Sequence, residues 1–317
     1  MTKQQHLGRG TTILVIGATG TVGSEVVKQL VSSSSSSDQN VVRAAVHSQD
    51  KAGKFKQYNN KSVEVVNMDY NKPETIADAL NQVDKLFLLT LPTPNSNDIY
   101  SDLVNQIRKY GNVNHIVKLS SMAAEIGLEN TIGLLHREEE KIIEESGVPY
   151  TFLRPGAFMQ NFVNYLGHTI KTQNAFYLPA GDGKVSFIDA RDVAAVSVQA
   201  LTNDNQQHIG KAYTITGQEA ISYGQAAEIL SKEVGRRISY VDIPEEDARK
   251  GMKHTGMDDW LIDAMMESYS IIRAGHVSQT TDVVEQITGR KPISFSQFAN
   301  DYVKFFRYYM TKEEEGK

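Results

Sequence analysis

The sequence predicts an α/β protein: a doubly wound parallel sheet followed by a smaller, mostly helical C-terminal domain. Three observations predict it. Short apolar segments alternate with helical ones through the first half of the chain. Those segments are apolar at nearly every position, the mark of strands covered on both faces. A glycine-rich turn joins the first strand to the first helix. Parallel strands linked by right-handed helical crossovers build such a pattern into a doubly wound sheet.

Residues 12–16 (TILVI) form the first strand and 21–31 the helix after it. The second strand is 41–46, followed by a polar helix around 51–57. Further strands are expected at 63–67, 85–90 and 114–120, with helices near 73–81 and 97–110. The helix 134–146 then leads into the strand 150–154. After Pro155 the alternation loosens: 157–174 reads as an apolar helix and Gly181 to Gly183 as a turn. Strands at 185–188 and 212–216 flank a helix at 190–201, and the chain from Ser222 onward is mostly helical. This divides the chain into one domain of 10–155 plus about 184–216 and another of 156–183 plus 217–310. The serine run 32–37 cannot bury enough surface to repay its ordering entropy and reads as a flexible loop away from any site.

A chain of 317 residues is long enough for about two domains at roughly 150 residues each. Its 40 % apolar content supplies a large core and rules out intrinsic disorder. With 33 basic and 38 acidic residues the net charge is −5, which gives no broad positive surface for phosphate backbones or anionic lipids. Cysteine is absent, so disulfides, thiolate metal sites and cysteine nucleophiles are excluded. No histidine pair has the spacing of a helical metal site, and no metal is expected. The first residues lack the apolar stretch of a secretory signal, and no apolar run reaches the roughly 20 residues of a membrane helix. The expectation is a soluble cytoplasmic protein without nucleic-acid or membrane partners.

Strand 12–16 runs into Gly17-Ala18-Thr19-Gly20-Thr21-Val22-Gly23, and a helix follows. Glycine permits the tight turn and lets a pyrophosphate approach the backbone, while the helix start aims free N–H groups at it. A glycine triplet alone also marks ordinary strand–helix turns; its place between strand and helix in a βαβ series points to a dinucleotide. The end of the second strand should select the ribose. An acid there suits NAD and a base suits NADP. The strand-end residue is His47, with Lys51 and Lys54 beyond it and Asp50 as the one acid within reach. NADP is favoured, and NAD stays open.

These segments, with Asn67-Met68-Asp69-Tyr70, Lys118-Leu119-Ser120-Ser121, His136 with Glu140, Arg154-Pro155-Gly156-Ala157-Phe158-Met159-Gln160-Asn161 and Gly181-Asp182-Gly183-Lys184, fall in a recognisable order. The chain resembles the NmrA-like family of atypical short-chain dehydrogenases/reductases over roughly 12–305, nearest its quinone oxidoreductase and triphenylmethane reductase branch. The resemblance implies a Rossmann domain with NADP(H) over Gly17, Ala18, Thr19, Gly20, Thr21 and Val22. It implies the 2′-phosphate near His47 and Lys51 and the adenine near Asp69 and Tyr70. The nicotinamide would be lined by Thr90, Leu91, Pro92, Ser120, Ser121, Pro155, Gly156, Ala157 and Phe158.

Members of the superfamily that move protons through Tyr-x-x-x-Lys rely on a depressed phenol pKa. Here that spacing occurs at Tyr308/Lys312, in the tail, and the helix after Ser121 carries His136-Arg137-Glu138-Glu139-Glu140-Lys141 instead. His136 can orient substrate, bond the nicotinamide or donate a proton; it can equally be structural, on a helix whose charged remainder is a solvated face. Ser121 can bond a carbonyl or cap the following turn. Met159, Asn161, Phe162 and Tyr165 are candidates for lining an apolar substrate pocket, or plain core. The expected activity is hydride transfer from NAD(P)H to an apolar conjugated acceptor such as a quinone. Such transfer needs no strong enzymic base. The rival is a dinucleotide-binding regulator that senses the cofactor without turnover. Apolar residues at 158–165 and 256–272 lining a cleft would favour the enzyme; a filled core would favour the sensor. The partner is a small apolar molecule, and a homodimer is left open.

Overall fold

Residues 10–33, 40–58, 63–90, 93–94, 96–110, 112–125, 130–203 and 206–307 are described by a computed structural model. In chain order the first elements are β1 (Thr12–Val15), α1 (Thr21–Ser33), β2 (Val41–Val46), α2 (Gln49–Ala52), β3 (Val63–Asn67) and α3 (Pro73–Leu80). Next come β4 (Lys85–Leu88), α4 (Ser96–Tyr110), β5 (His115–Leu119), α5 (Thr131–Ser146) and β6 (Tyr150–Pro155). Then follow α6 (Asn161–Asn164), α7 (Gly167–Gln173), β7 (Ala175–Leu178), β8 (Lys184–Val185), α8 (Ala190–Thr202) and β9 (Lys211–Ile215). The remainder holds β10 (Ile221–Ser222), α9 (Tyr223–Val234), β11 (Ser239–Asp242), α10 (Glu245–His254), α11 (Asp259–Arg273), α12 (Val283–Thr288), α13 (Phe295–Asp301) and α14 (Val303–Phe306).

Strand order in the main sheet is β3-β2-β1-β4-β5-β6-β9. The pairs from β3 through β6 are parallel. Gly210 N–H donates to Tyr150 O and Gly156 N–H to Ile215 O, so β9 runs the same way as β6. The order reverses between β1 and β4, and the crevice at such a switch point is where open α/β sheets bind ligands. Leu14, Leu86, Leu88, Ile116 and Phe152 form one face of the sheet and pack with Tyr100, Leu103, Val104 and Ile107 of α4 and Ile143 of α5. α1 and α8 pack together, and α8 also packs on β4, β5 and β6. This matches the expected fold class.

The chain separates into two compact units, Met1–Pro155 with Ala190–Thr214 and Gln286–Thr288, and Gly156–Asp189 with Ile215–Glu285 and Gly289–Lys317. The segment 184–189, expected with the nucleotide domain, therefore falls in the second unit. In that unit Phe162 stands among Phe176, Phe187, Tyr223 and Phe295, with ring centroids 4.9–5.8 Å away. The expected single helix at 157–174 is two short helices, α6 and α7, entered through a bridge between Phe158 and Ile188. A strand the sequence reading lacks, β11, pairs parallel with β7. Of the serine run, Ser32 and Ser33 complete α1, their hydroxyls donating to Lys28 O and Leu30 O. The rest of the run lies outside the described residues. No described helix is long and apolar enough to cross a membrane.

Candidate active site

The first component is the turn from β1 into α1. Gly17 has φ +77°, and a Cβ there would meet Leu89 Cδ2 at 2.6 Å, so glycine is required on both counts. At Gly23 a Cβ would lie 2.2 Å from Gly17 O, which fixes how closely α1 packs under the turn. Gly20 differs: a Cβ would come no nearer than 3.3 Å to the protein. The contact is with the backbone carbonyl of Gly17, which also accepts from Gly20 N–H at 2.9 Å. The turn leads into a 13-residue helix, whose first N–H groups lack helical partners. That cradle fits a dinucleotide pyrophosphate.

The ends of β2 and β3 lie on the same edge of the sheet. His47 is exposed, as are Asp50 and Lys51. Lys54 reaches further, and its ammonium donates to Thr19 O in the glycine turn at 2.9 Å. The sequence places Lys54 only beyond the strand end; the short helical turns after β2 bring it back to the loop. Asp69 accepts from Asn71 N at 3.0 Å, and that bond, ahead of the nearby His47, holds its carboxyl below the usual value.

The second component lies where β5 meets α5. Asn130 caps α5 by accepting from Gly133 N, and Gly147 ends the helix at φ +74°. Gly133, His136, Glu139, Glu140 and Ile143 share its inward stripe, the i, i+3, i+4, i+7 pattern of a buried helix face. Glu139 is 1 % exposed and Glu140 is fully buried. Of the charged residues around His136, Arg137, Glu138 and Lys141 are exposed, while these two glutamates turn inward.

Two strand residues answer those carboxylates. Lys118, in an otherwise apolar strand and fully buried, places Nζ 2.8 Å from Glu139 Oε2, 3.0 Å from Leu119 O and 3.1 Å from His136 Nδ1. Arg154 of β6 grips Glu140 with two parallel bonds, at 2.9 and 2.7 Å. Ser120 donates to Glu140 at 2.6 Å, Arg137 adds a bond at 3.1 Å, and Thr90 donates to Glu139 Oε1 at 3.0 Å. Burial raises the Glu139 carboxyl, but the adjoining His136 ring and the Lys118 ammonium outweigh it and bring it down to about 2. Glu140 likewise ends below its ordinary value, burial being outweighed by Arg154 and Ser120. Burial, then the Lys118 charge, lowers the His136 pKa and keeps the imidazole neutral at pH 7. Its Nδ1 lies within 3.0 Å of Glu139 Oε2, and Nε2 has no hydrogen bond among the described residues. A neutral imidazole with one nitrogen held and the other available can donate or accept a proton.

Of the residues expected in the site, Gly17 to Val22, His47, Asp69, Tyr70, Thr90, Ser120 and Pro155 follow or close the C-terminal ends of parallel strands in the first unit. The hydroxyls of Thr90 and Ser120 are engaged by the two glutamates, and Ser121 caps a short 3-10 turn by accepting from Ala123 N. Gly156, Ala157 and Phe158 belong to the second unit, where Ala157 O and Met159 N pair with Ile188. Met159 and Phe162 are 2 % and 0 % exposed and belong to the aromatic core. Ile262, Ala264, Met266 and Ile272 are core residues too. Part of each apolar stretch thus fills a core, the outcome that on this criterion favours the sensor. Asn161 is half-buried and Tyr165 is 68 % exposed. Leu91, Pro92, Tyr308 and Lys312 lie outside the described residues. Sequence reasoning gave no site role to Lys118 or Glu139. A lysine within the apolar run HIVKL was the available signal for the first.

A glycine cradle at the switch point of a parallel sheet defines a dinucleotide-binding α/β protein. The NmrA-like family pattern matches residues 9–314, and the chain belongs to that family. It is 37 % identical over 294 residues to the NAD(P)H azoreductase of Xenophilus azovorans, covering 93 % of this chain and 99 % of the relative. The structure of the NADPH-dependent quinone oxidoreductase of Escherichia coli complexed with NADPH superposes with a TM-score of 0.77 at 25 % identity, covering 91 % and 99 % of the two chains. Triphenylmethane reductase of Citrobacter shares the fold, with a TM-score of 0.79 at 24 % identity over 93 % and 99 %.

Proposed function

We propose that this protein is an NAD(P)H-dependent reductase that passes a hydride to an apolar conjugated acceptor such as a quinone or an azo compound. The observation that carries this is the 37 % identity to an NAD(P)H azoreductase along nearly the whole of both chains. The glycine cradle supplies the binding site such a relative requires. The regulator reading has less support, because these relatives are named for reductions.

In this reading Gly17 to Val22 hold the pyrophosphate, and His47, Lys51 and Lys54 face the 2′-phosphate, with Asp69 and Tyr70 by the adenine. The reduced nicotinamide supplies the hydride when bound. Thr90, Ser120, Ser121 and Pro155 form its surroundings. His136 gives the proton that completes reduction. We further assign the enzyme to the cytoplasm, with a small molecule rather than nucleic acid as partner, in line with a net charge of −5. Light scattering distinguishes a monomer from a homodimer.

The test is oxidation of NADPH and NADH followed at 340 nm with a panel of quinones and azo dyes. Turnover of one acceptor, with NADPH favoured, supports the assignment. Lys54→Ala is expected to raise the KM for NADPH roughly tenfold, in the range of a charge-assisted bond, and to leave NADH within about twofold. Tight dinucleotide binding with no turnover across the panel would move the protein to the sensor class.

A further inference from the structure

We infer that Lys118 is a positioning residue and proton reserve for His136: it keeps the ring's proton on Nε2 and refills Nδ1 when Nε2 protonates the reduced acceptor. This rests on the reductase reading above.

Two resting states compete: Nδ1 accepts from Lys118 at 3.1 Å, or Nδ1–H donates to Glu139 Oε2 at 3.0 Å, and hydrogen counting favours the first. An ammonium has three N–H bonds, and three acceptors surround Nζ: Leu119 O, Glu139 Oε2 and His136 Nδ1, at 3.0, 2.8 and 3.1 Å. Were Nδ1 protonated, one ammonium hydrogen would face another hydrogen where the lysine side chain is 1 % exposed. Charge counting agrees. Lys118 and Glu139 cancel, and Glu140 is matched by Arg154 and Arg137, so an imidazolium would add an unbalanced buried charge. The groups facing the cluster are Lys118 from β5, Glu139 and Glu140 from α5, Arg154 from β6 and Thr90 after β4. The Tyr100 ring of α4 lies 5.6 Å from Nζ, and Tyr70, after β3, feels the Glu139 charge.

The same geometry serves the step. Addition of a hydride, with its two electrons, leaves an anionic oxygen or nitrogen on the acceptor. The Nε2–H bond breaks as that atom takes the proton, and a Lys118 Nζ–H bond breaks as Nδ1–H forms. The ring ends neutral in its other tautomer, and the new Nδ1–H has its acceptor in place, Glu139 Oε2 at 3.0 Å. Burial favours the uncharged amine that remains. One proton from water per turnover restores the ammonium and the first tautomer.

The direct test is the tautomer of His136, read from nitrogen-15 chemical shifts in the full-length protein and assigned with His136→Gln. The expected result is a neutral ring protonated on Nε2 across neutral pH, changing in Lys118→Met to Nδ1–H or imidazolium, because Glu139 is then the remaining partner. Where Lys118→Met does not fold, Lys118→Met/Glu139→Gln removes both charges at similar volume and is expected to give mixed tautomers. Where an acceptor turns over, the loss of the lysine should lower kcat roughly tenfold to a hundredfold, enlarge the solvent isotope effect and leave the NADPH KM within about twofold. A wild-type ring protonated on Nδ1, or a tautomer indifferent to Lys118, overturns the inference. The spectroscopic result does not need turnover. A panel with no substrate therefore fails the reductase reading alone, and an unchanged tautomer with normal turnover fails the lysine alone.

Discussion

Phe162 and Lys118 are both large, fully buried side chains, but they are held in opposite ways. Around Phe162 the second unit places aromatic rings, Phe295 nearest at 4.9 Å, and the contacts are many, weak and nondirectional. Around Lys118 the first unit places a carboxylate, an imidazole and a carbonyl, each at hydrogen-bond distance. The aromatic core loses in proportion to the volume removed. The charged one is stable only while its ions remain paired, because a lone buried charge forfeits its hydration. That makes it a poor device for stability and a good one for fixing a protonation state.

Phe162→Ala should break the first kind of core, lowering unfolding free energy by about 4 kcal/mol in denaturant titrations, through lost transfer energy and the cavity left behind. Lys118→Met should cost about 3 kcal/mol by taking the ammonium from the buried Glu139, and Lys118→Met/Glu139→Gln should recover most of it. A double variant as unstable as the single one would mean that packing, not pairing, decides this layer.

Acid should sharpen the contrast within a single strand. At the other end of β5, His115 is 5 % exposed, and burial, then the Lys85 charge, brings its pKa down from 6.5 to about 4. The Thr151 hydroxyl donates to His208 O at 2.6 Å, so His115 Nε2 must donate to Thr151, as a neutral ring. Between pH 6.5 and 4 the unfolded chain binds the extra proton, so stability falls as pH falls. The loss expected is roughly 3 kcal/mol, and His115→Phe should flatten it in urea midpoints taken from pH 7 to 4. Glu139 acts lower: its folded pKa is depressed, so its contribution, present above 4.5, is lost on acidification towards about 2.

The smallest effect is expected at Tyr100, whose hydroxyl is buried with no hydrogen-bond partner among the described residues. Tyr100→Phe should leave stability unchanged or raise it by up to about 1 kcal/mol in thermal melts. A clear loss would show that the hydroxyl belongs to the charged layer.

Legibility in the sequence follows the same division. The parallel sheet was readable because strands covered on both faces need mostly apolar residues, as in TILV and KLFL. The loop was readable because Gly17 and Gly23 are required by backbone geometry close in sequence. β11 was missed because its partner β7 lies more than 60 residues away and only two strands share the burial. HREEEK was misread because a helix face is inferred from apolar spacing, and here the inward stripe is ionic.

By itself the sequence determined the fold class, the nucleotide turn and the family, since each depends on local backbone rules and on the order of short motifs. The tertiary structure decided that Glu139 and Glu140 face inward, that Lys118 reaches His136, that Lys54 returns to the glycine turn, and that Met159 and Phe162 are core. The physical reason is distance along the chain. A buried charge is permitted only by a partner, and those partners lie 14 to 20 residues away, on or just after strands that meet the helix only in the folded protein.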